Sequence, residues 1–108
     1  MANFDDFIDA LKEGAKKLAG ETFDGFEDQA KKDAEDFIEK SKEDLKRWTK
    51  LLAQGDINEQ DFSDLVLAKK ALAEMFALRQ AGLTLIKLER FRKGFINLVV
   101  DTAFDVFL

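Results

Sequence analysis

Residues 54–62 read Gln-Gly-Asp-Ile-Asn-Glu-Gln-Asp-Phe and contain the clearest helix boundary signals in the chain. Gly55 suits the position just past a helix C-terminus, where the backbone turns left-handed. Asn58 suits the N-cap of a following helix, and Asp61 stands three residues later, as in a capping box. The stretch therefore predicts a tight turn at residues 54–58 between two helices.

Upstream of this turn, apolar residues recur every three or four positions, which is the spacing of one face of an α-helix. The pattern predicts helices at about residues 3–19 and 22–54. Its phase shifts by nearly a quarter turn near Gly20, which predicts the break between the two helices there. A helix over 22–54 would be about 48 Å long at 1.5 Å per residue. The sequence leaves open whether this segment is one helix or two.

Downstream of the turn, the same periodicity predicts helices at about residues 58–81 and 83–107, separated at Gly82. The helix over 58–81 has two apolar faces, which is typical of a central helix in a bundle. A β-hairpin is the alternative for residues 83–100, because two β-prone runs flank Gly94. A lone hairpin is only marginally stable, so the helix is the favoured prediction.

The composition favours helices throughout. The 108 residues include no Pro, which removes the strongest helix breaker, and 46% of them are hydrophobic, which is enough to fill a core. We therefore expect an all-α fold: a single helical domain over residues 1–108, built as an antiparallel bundle of three to four amphipathic helices.

The charge balance and the missing residue types argue against several function classes. There are 17 basic and 22 acidic residues, giving a net charge of −5, which disfavours nucleic-acid binding. The chain has no Cys and no His, so thiolate chemistry is excluded and the commonest general base and metal ligand are missing. We expect a protein that is not an enzyme, with no catalytic, cofactor-binding or metal-ligating residues.

Two patterns point toward metal binding, and both are incomplete. Residues 55–62 resemble the second half of a calcium-binding EF-hand loop, but carboxylates would be needed where Lys50, Leu52 and Gln54 stand. Carboxylates crowd residues 35–44, but di-metal sites in helical bundles also need Glu-x-x-His. We interpret these carboxylates as a solvated helix surface.

Surplus apolar residues in the last two predicted helices indicate a docking interface. The candidate interface residues are Phe91, Phe95, Phe104, Phe107 and Leu108. Because no residues suited to catalysis accompany them, the sequence favours a non-catalytic helical-bundle interaction or assembly protein. Such a protein would self-associate through apolar faces of helices three and four, with a homodimer favoured.

A local basic cluster is the second candidate site. Its members are Lys87, Arg90, Arg92 and Lys93. We expect these cations to pair with the acidic residues of the second helix inside the bundle. Contact with a membrane surface is the alternative.

An amphipathic-helix protein of lipid surfaces or granules is the alternative function. The first two predicted helices have narrow apolar stripes that carry Phe residues and Trp48. They look similar to apolipoprotein-like or granule-coating helices, and this resemblance implies helices that open from a bundle and lie on an apolar surface. A lipid partner is less favoured than a protein partner.

The sequence offers no targeting signal. The acidic N-terminus has no basic region ahead of an apolar run, unlike a secretory signal. The longest weakly charged stretch, residues 94–108, is shorter than the roughly 20 residues that span a bilayer. We expect a cytoplasmic protein.

Overall fold

A computed structural model of the chain describes residues 4–22, 25–69 and 76–107. Every regular element within these residues is an α-helix, so the all-α prediction is confirmed. The helices are α1 (Phe4–Thr22), α2 (Glu27–Gln54), α3 (Glu59–Leu67), α4 (Phe76–Gln80) and α5 (Leu85–Phe107).

The turn predicted at residues 54–58 is confirmed in detail. Gly55 ends α2 in the left-handed conformation, with φ at 79°, and its N–H donates to the carbonyl of Leu52. Asn58 accepts a hydrogen bond of 2.8 Å from the Asp61 N–H, and its own N–H donates to the Asp61 carboxylate at 3.1 Å. The two residues of this reciprocal capping box are only three positions apart in the chain, which is why the sequence predicts it.

The break predicted near Gly20 exists but lies a few residues further along the chain. α1 continues through Gly20 to Thr22, and α2 begins only at Glu27. Gly25 lies in the connection with φ at 90°, a left-handed conformation that glycine adopts without steric cost. α2 then runs without interruption for 28 residues, which answers the question of one helix or two.

The continuous helix predicted over residues 58–81 is wrong. α3 ends at Leu67, and Ala68 and Lys69 lie outside any helix. A separate five-residue helix, α4, follows at residues 76–80. The chain on both sides of this break is fastened to α2 by side chains, as described below, and those contacts are invisible in the local periodicity.

Residues 85–100 belong to one helix, so the hairpin alternative for 83–100 is wrong. Gly94 lies inside α5 and serves packing instead of a turn. A Cβ at Gly94 would lie 3.1 Å from the Leu18 side chain of α1, and one at Gly14 of α1 would lie 2.6 Å from Leu98 of α5. The two glycines let α1 and α5 approach closely.

The core lies between α1, α2 and α5. Phe95 is fully buried and contacts Phe37 of α2 edge-on, with ring centroids 5.3 Å apart. Phe91 stacks on Phe95 at 6.1 Å, and Phe107 lies 5.6 Å from Phe7 of α1. The molecule measures 41 × 25 × 20 Å, so its longest dimension follows the long helices.

Candidate interaction surface

The first turn of α5 exposes two large aliphatic side chains. Leu85 and Ile86 are each 74% exposed, whereas Leu88 is buried. The cause is the relative length of the helices. Gly94, nine residues after Leu85, faces Leu18, which is only four residues before the end of α1 at Thr22. The start of α5 therefore extends past the end of α1 and loses its cover.

Charged side chains lie beside these aliphatic side chains. Lys87, Arg90 and Lys93 are exposed, and a shallow surface depression is lined by Leu85, Ile86, Glu89, Arg90 and Lys93. We call Leu85, Ile86, Lys87, Arg90 and Lys93 the α5 knob. Arg90 and Lys93 of the predicted basic cluster thus share one surface with the aliphatic pair, and Lys87, the residue after Ile86, is exposed as well.

The fourth member of the basic cluster, Arg92, differs from the other three. Its side chain is half-buried and forms an ion pair of 2.6 Å with Glu89 in the same helix. Glu89 is the only acidic residue in the sequence from 85 to 93, and this ion pair balances its charge. The outward charge of the knob is therefore positive.

The predicted aromatic interface has a different location from the knob. Phe91 and Phe95 are fully buried in the core of the single chain, while Phe104 and Phe107 are half-buried against it. Leu108 lies outside the described residues. Among the described residues of α5, the large hydrophobic side chains with high exposure are therefore Leu85 and Ile86 and not the predicted aromatic residues.

Sequence reasoning missed Leu85 and Ile86 as surface residues. Helical periodicity assigns Leu85 to the same broad apolar side as Leu88, and only the end of α1 uncovers it. The available signal was the composition: two adjacent aliphatic residues are followed by four cations within seven positions.

A buried carboxylate of α2 holds α4 in place. Asp33 is 5% exposed and accepts hydrogen bonds of 2.7 Å from the Ala77 N–H and 2.9 Å from the Leu78 N–H. These two donors belong to the first turn of α4, where helical N–H groups lack intrahelical partners. Asp33 is thus an N-cap supplied from another helix.

Burial sets the protonation behaviour of Asp33. Desolvation raises the pKa of its carboxyl above the ordinary value of 3.8, while the N–H bonds from Leu78 and Ala77 act in the opposite direction. Asp36 adds a smaller upward effect and Lys32 a smaller downward one. The charged form is therefore the costly one in this setting.

Capping by Asp33 places α4 beside α2 and creates a groove between them. The groove has a volume of about 460 Å³ and is lined by the following residues: Asp28, Gln29, Lys32, Asp36, Ala77, Gln80 and Ala81. We call it the α2–α4 groove. Ala77 of α4 and Ala81, the residue after α4, have small side chains that leave space on one wall, and Asp28 and Asp36 of α2 are exposed on the other.

A second fastening joins the residues after α3 to α2. Lys69 pairs with Asp44, which also pairs with Arg47 at 2.9 Å. The hydrogen bond from Lys69 is the main cause that holds the pKa of Asp44 below its ordinary value. Asp33 and Asp44 thus anchor the chain on the two sides of the break between α3 and α4.

No group of three or more Asp and Glu side chains within residues 4–22, 25–69 and 76–107 is arranged to hold a metal ion. None of the helices in this part of the chain is long and apolar enough to cross a membrane.

Comparisons of this chain with family models, curated proteins and solved structures found no match.

Proposed function

We propose that this chain is a non-catalytic helical interaction protein that self-associates, with a dimer as the favoured state. The observation that carries the proposal is the 74% exposure of both Leu85 and Ile86 at the start of α5. Single exposed aliphatic residues are common on protein surfaces, but adjacent ones within a charged rim are typical of interaction sites. Their position agrees with self-association through the last two of the helices expected from the sequence.

The energetics support docking at this surface. Burying one Leu or Ile side chain is worth about 1.5–3 kcal/mol relative to leaving it exposed. Charged residues around an apolar centre exclude wrong partners and fix the register of the contact. The absence of His and Cys leaves little chemistry for catalysis, which favours an interaction role.

We also propose that the long helices form an antiparallel bundle. Contacts between α1 and α5 support this arrangement, because residue numbers rise along α1 while those of the facing residues fall along α5. The facing pairs are Phe7 with Phe107, Gly14 with Leu98, and Leu18 with Gly94. In such a bundle the uncovered end of α5 lies at one end of the long axis.

Sedimentation velocity over a range of concentrations tests self-association. The full chain should sediment as a discrete dimer, and Leu85→Ser combined with Ile86→Ser should shift it to monomer. Leu67→Ser is the matched control, because Leu67 is also exposed, at 57%, but lies on α3. A wild-type chain that stays monomeric at every concentration would falsify the proposal.

A lipid surface is the second candidate partner, favoured by the cations Lys87, Arg90 and Lys93 beside exposed aliphatic residues. Attachment through the α5 knob requires no opening of the bundle, whereas the coating model requires α1 and α2 to separate. Trp48 distinguishes the two because it is only 6% exposed in the closed chain. Its emission should change on neutral lipid droplets only if the bundle opens.

Flotation with vesicles of phosphatidylcholine alone, and with added phosphatidylserine, tests the lipid candidate. Attachment through the knob predicts binding that depends on phosphatidylserine and leaves Trp48 emission unchanged. Absence of flotation with both compositions, together with an unchanged Trp48 spectrum, would remove the lipid candidate.

A further inference from the structure

The α5 knob and the α2–α4 groove both present apolar side chains at the surface. The knob presents the ends of two aliphatic side chains, Leu85 and Ile86, at the surface. The groove has an opening bordered by Ala77 and Ala81, whose small side chains leave room for larger ones. An exposed aliphatic pair can pack against these two alanines, with the polar and charged lining of the groove around the contact.

The two surfaces are also complementary in charge. The knob carries three exposed cations, Lys87, Arg90 and Lys93, while the nearby Glu89 is paired with Arg92. The groove carries Asp28 and Asp36, with Lys32 as the one cation on its lining. A contact between knob and groove therefore brings carboxylates to the guanidinium and ammonium groups beside the aliphatic pair.

The positions of the two surfaces in one chain allow a reciprocal contact. The groove ends at Ala81 and the knob begins at Leu85, so only residues 82–84 separate them in sequence. The high exposure of Leu85 and Ile86 shows that the knob does not occupy the groove of its own chain. Neighbouring surfaces that complement each other can pair twice across a two-fold axis.

The carboxylates of the groove also favour a second copy over a membrane as the partner of the knob. An anionic bilayer in contact with the knob would face Asp28 and Asp36 nearby, in a chain whose net charge is −5. Those carboxylates would repel the bilayer but attract the knob of another copy. The charges around the site therefore favour a second copy of this chain.

From these observations we propose that the α5 knob of one copy seats in the α2–α4 groove of a second copy, and that the reverse contact closes a symmetric dimer. This inference depends on the proposed self-association and names the two surfaces that make it. Asp33 has a positioning role in this dimer, because its bonds to Ala77 and Leu78 hold one wall of the groove.

Two charge-reversal variants of the full chain test the contact. The knob variant combines Arg90→Glu with Lys93→Glu, and the groove variant combines Asp28→Lys with Asp36→Lys. In each variant alone, knob and groove carry the same sign of charge. We expect the dimer dissociation constant of either variant to rise about tenfold or more. The four positions are exposed or on the surface rim, and circular dichroism with thermal melts checks that both variants fold.

Mixing the two variants gives the decisive result. The acidic groove of the knob variant then meets the basic knob of the groove variant, and the acidic knob meets the basic groove. A 1:1 mixture should therefore recover a dimer in sedimentation, with a fluorescent label on one variant to show that it contains both. The control Lys46→Glu with Lys50→Glu makes the same charge change at exposed positions elsewhere on α2 and should dimerise like the wild type.

The possible failures are distinguishable. A wild-type monomer would overturn both this inference and the proposed self-association. If the wild type is a dimer and the groove variant has the same dimer dissociation constant, only the knob-in-groove contact is overturned. If the wild type is monomeric and floats with phosphatidylserine vesicles, and the knob variant does not float, the partner is a lipid surface instead of a second copy.

Discussion

α3 and α4 both begin with their N–H groups bonded to a polar side chain, but the two side chains come from very different places. Asn58 caps α3 from the position directly before the helix. Asp33 caps α4 from α2, 44 residues before Ala77. The local cap depends on residues within one helical turn of each other, whereas the remote cap forms only when α2 and α4 are packed together. One helix start is thus independent of the fold and the other is a product of it.

The two helices also differ in how they are anchored. Phe62 of α3 and Leu78 of α4 are both fully buried, but α3 has nine residues and a complete capping box while α4 has five. Short helices are unstable by themselves. We infer that α4 depends on Leu78 and Asp33 together, whereas α3 is partly stabilised by its own sequence.

The largest expected effect comes from removing the buried anchors. Phe62→Ala should lower the free energy of unfolding by about 3–5 kcal/mol, and Leu78→Ala by about 2–5 kcal/mol, because each leaves a cavity. Urea denaturation measures both. Leu67→Ala is the control, since a residue 57% exposed should change stability by only about 0.5 kcal/mol. Equal effects of Leu67→Ala and Leu78→Ala would contradict the assignment of Leu78 to the core.

The next effect tests the remote cap. Asp33→Ala should cost about 2 kcal/mol, because the N–H groups of Ala77 and Leu78 lose their acceptors in a largely buried setting. Asp36→Ala, an exposed carboxylate one turn later, is the matched control and should have little effect on folding. Hydrogen exchange of the Ala77 and Leu78 amides should accelerate in the Asp33 variant. If these amides stay protected, α4 is held without the cap.

The local cap gives a smaller effect. Asn58→Ala should lower the free energy of unfolding by about 1 kcal/mol, the usual cost of losing an N-cap side chain. Asn58→Asp should retain stability, since aspartate caps as well as asparagine. The comparison between the two helices fails if Asn58→Ala destabilises the chain more than Asp33→Ala.

The smallest effect is a difference in pH dependence between the two carboxylates that anchor α2. Because burial raises the pKa of Asp33, its contribution to stability is full below about pH 4 and is lost as the pH rises through its folded pKa. Asp44 behaves in the opposite way. Its pKa is lowered by Lys69, so its contribution is present above about pH 4 and is lost as the pH falls.

Urea denaturation of the wild type, Asp33→Asn and Asp44→Asn between pH 3 and pH 7 measures this difference. As the pH rises, the free energy of unfolding of the wild type should fall relative to that of Asp33→Asn. Over the same pH range it should increase relative to that of Asp44→Asn. Two parallel curves would mean that neither carboxyl has a shifted pKa in the folded chain.

The sequence was a good guide to elements whose determinants are adjacent residues. The turn at 54–58 follows from Gly55 and Asn58, and the all-α class follows from periodicity over long segments. Gly20, Gly25 and Gly94 were harder, because glycine can end a helix, make a turn or permit close packing. Gly25 makes the first turn while Gly20 stays helical, and Gly94 packs against Leu18.

The candidate surface was only partly predictable. The cations Lys87, Arg90 and Lys93 stand out in the sequence, and they do line an exposed surface. The aromatic residues chosen for an interface, Phe91 and Phe95, have the periodicity of a buried face and are in the core. Periodicity identifies which residues share a face but not which part of that face a neighbouring helix covers.

The sequence by itself determined the helical class, the local cap of α3 and the positive charge at the start of α5, because these depend on residues within one or two helical turns. Only the tertiary structure decided where α1 stops covering α5, that Asp33 caps α4, and that a groove with carboxylates on its rim lies near the apolar knob. Each of these depends on the relative lengths and packing of helices that are distant in the chain. A side chain such as Asp33 acquires its role from the N–H groups that packing brings to it.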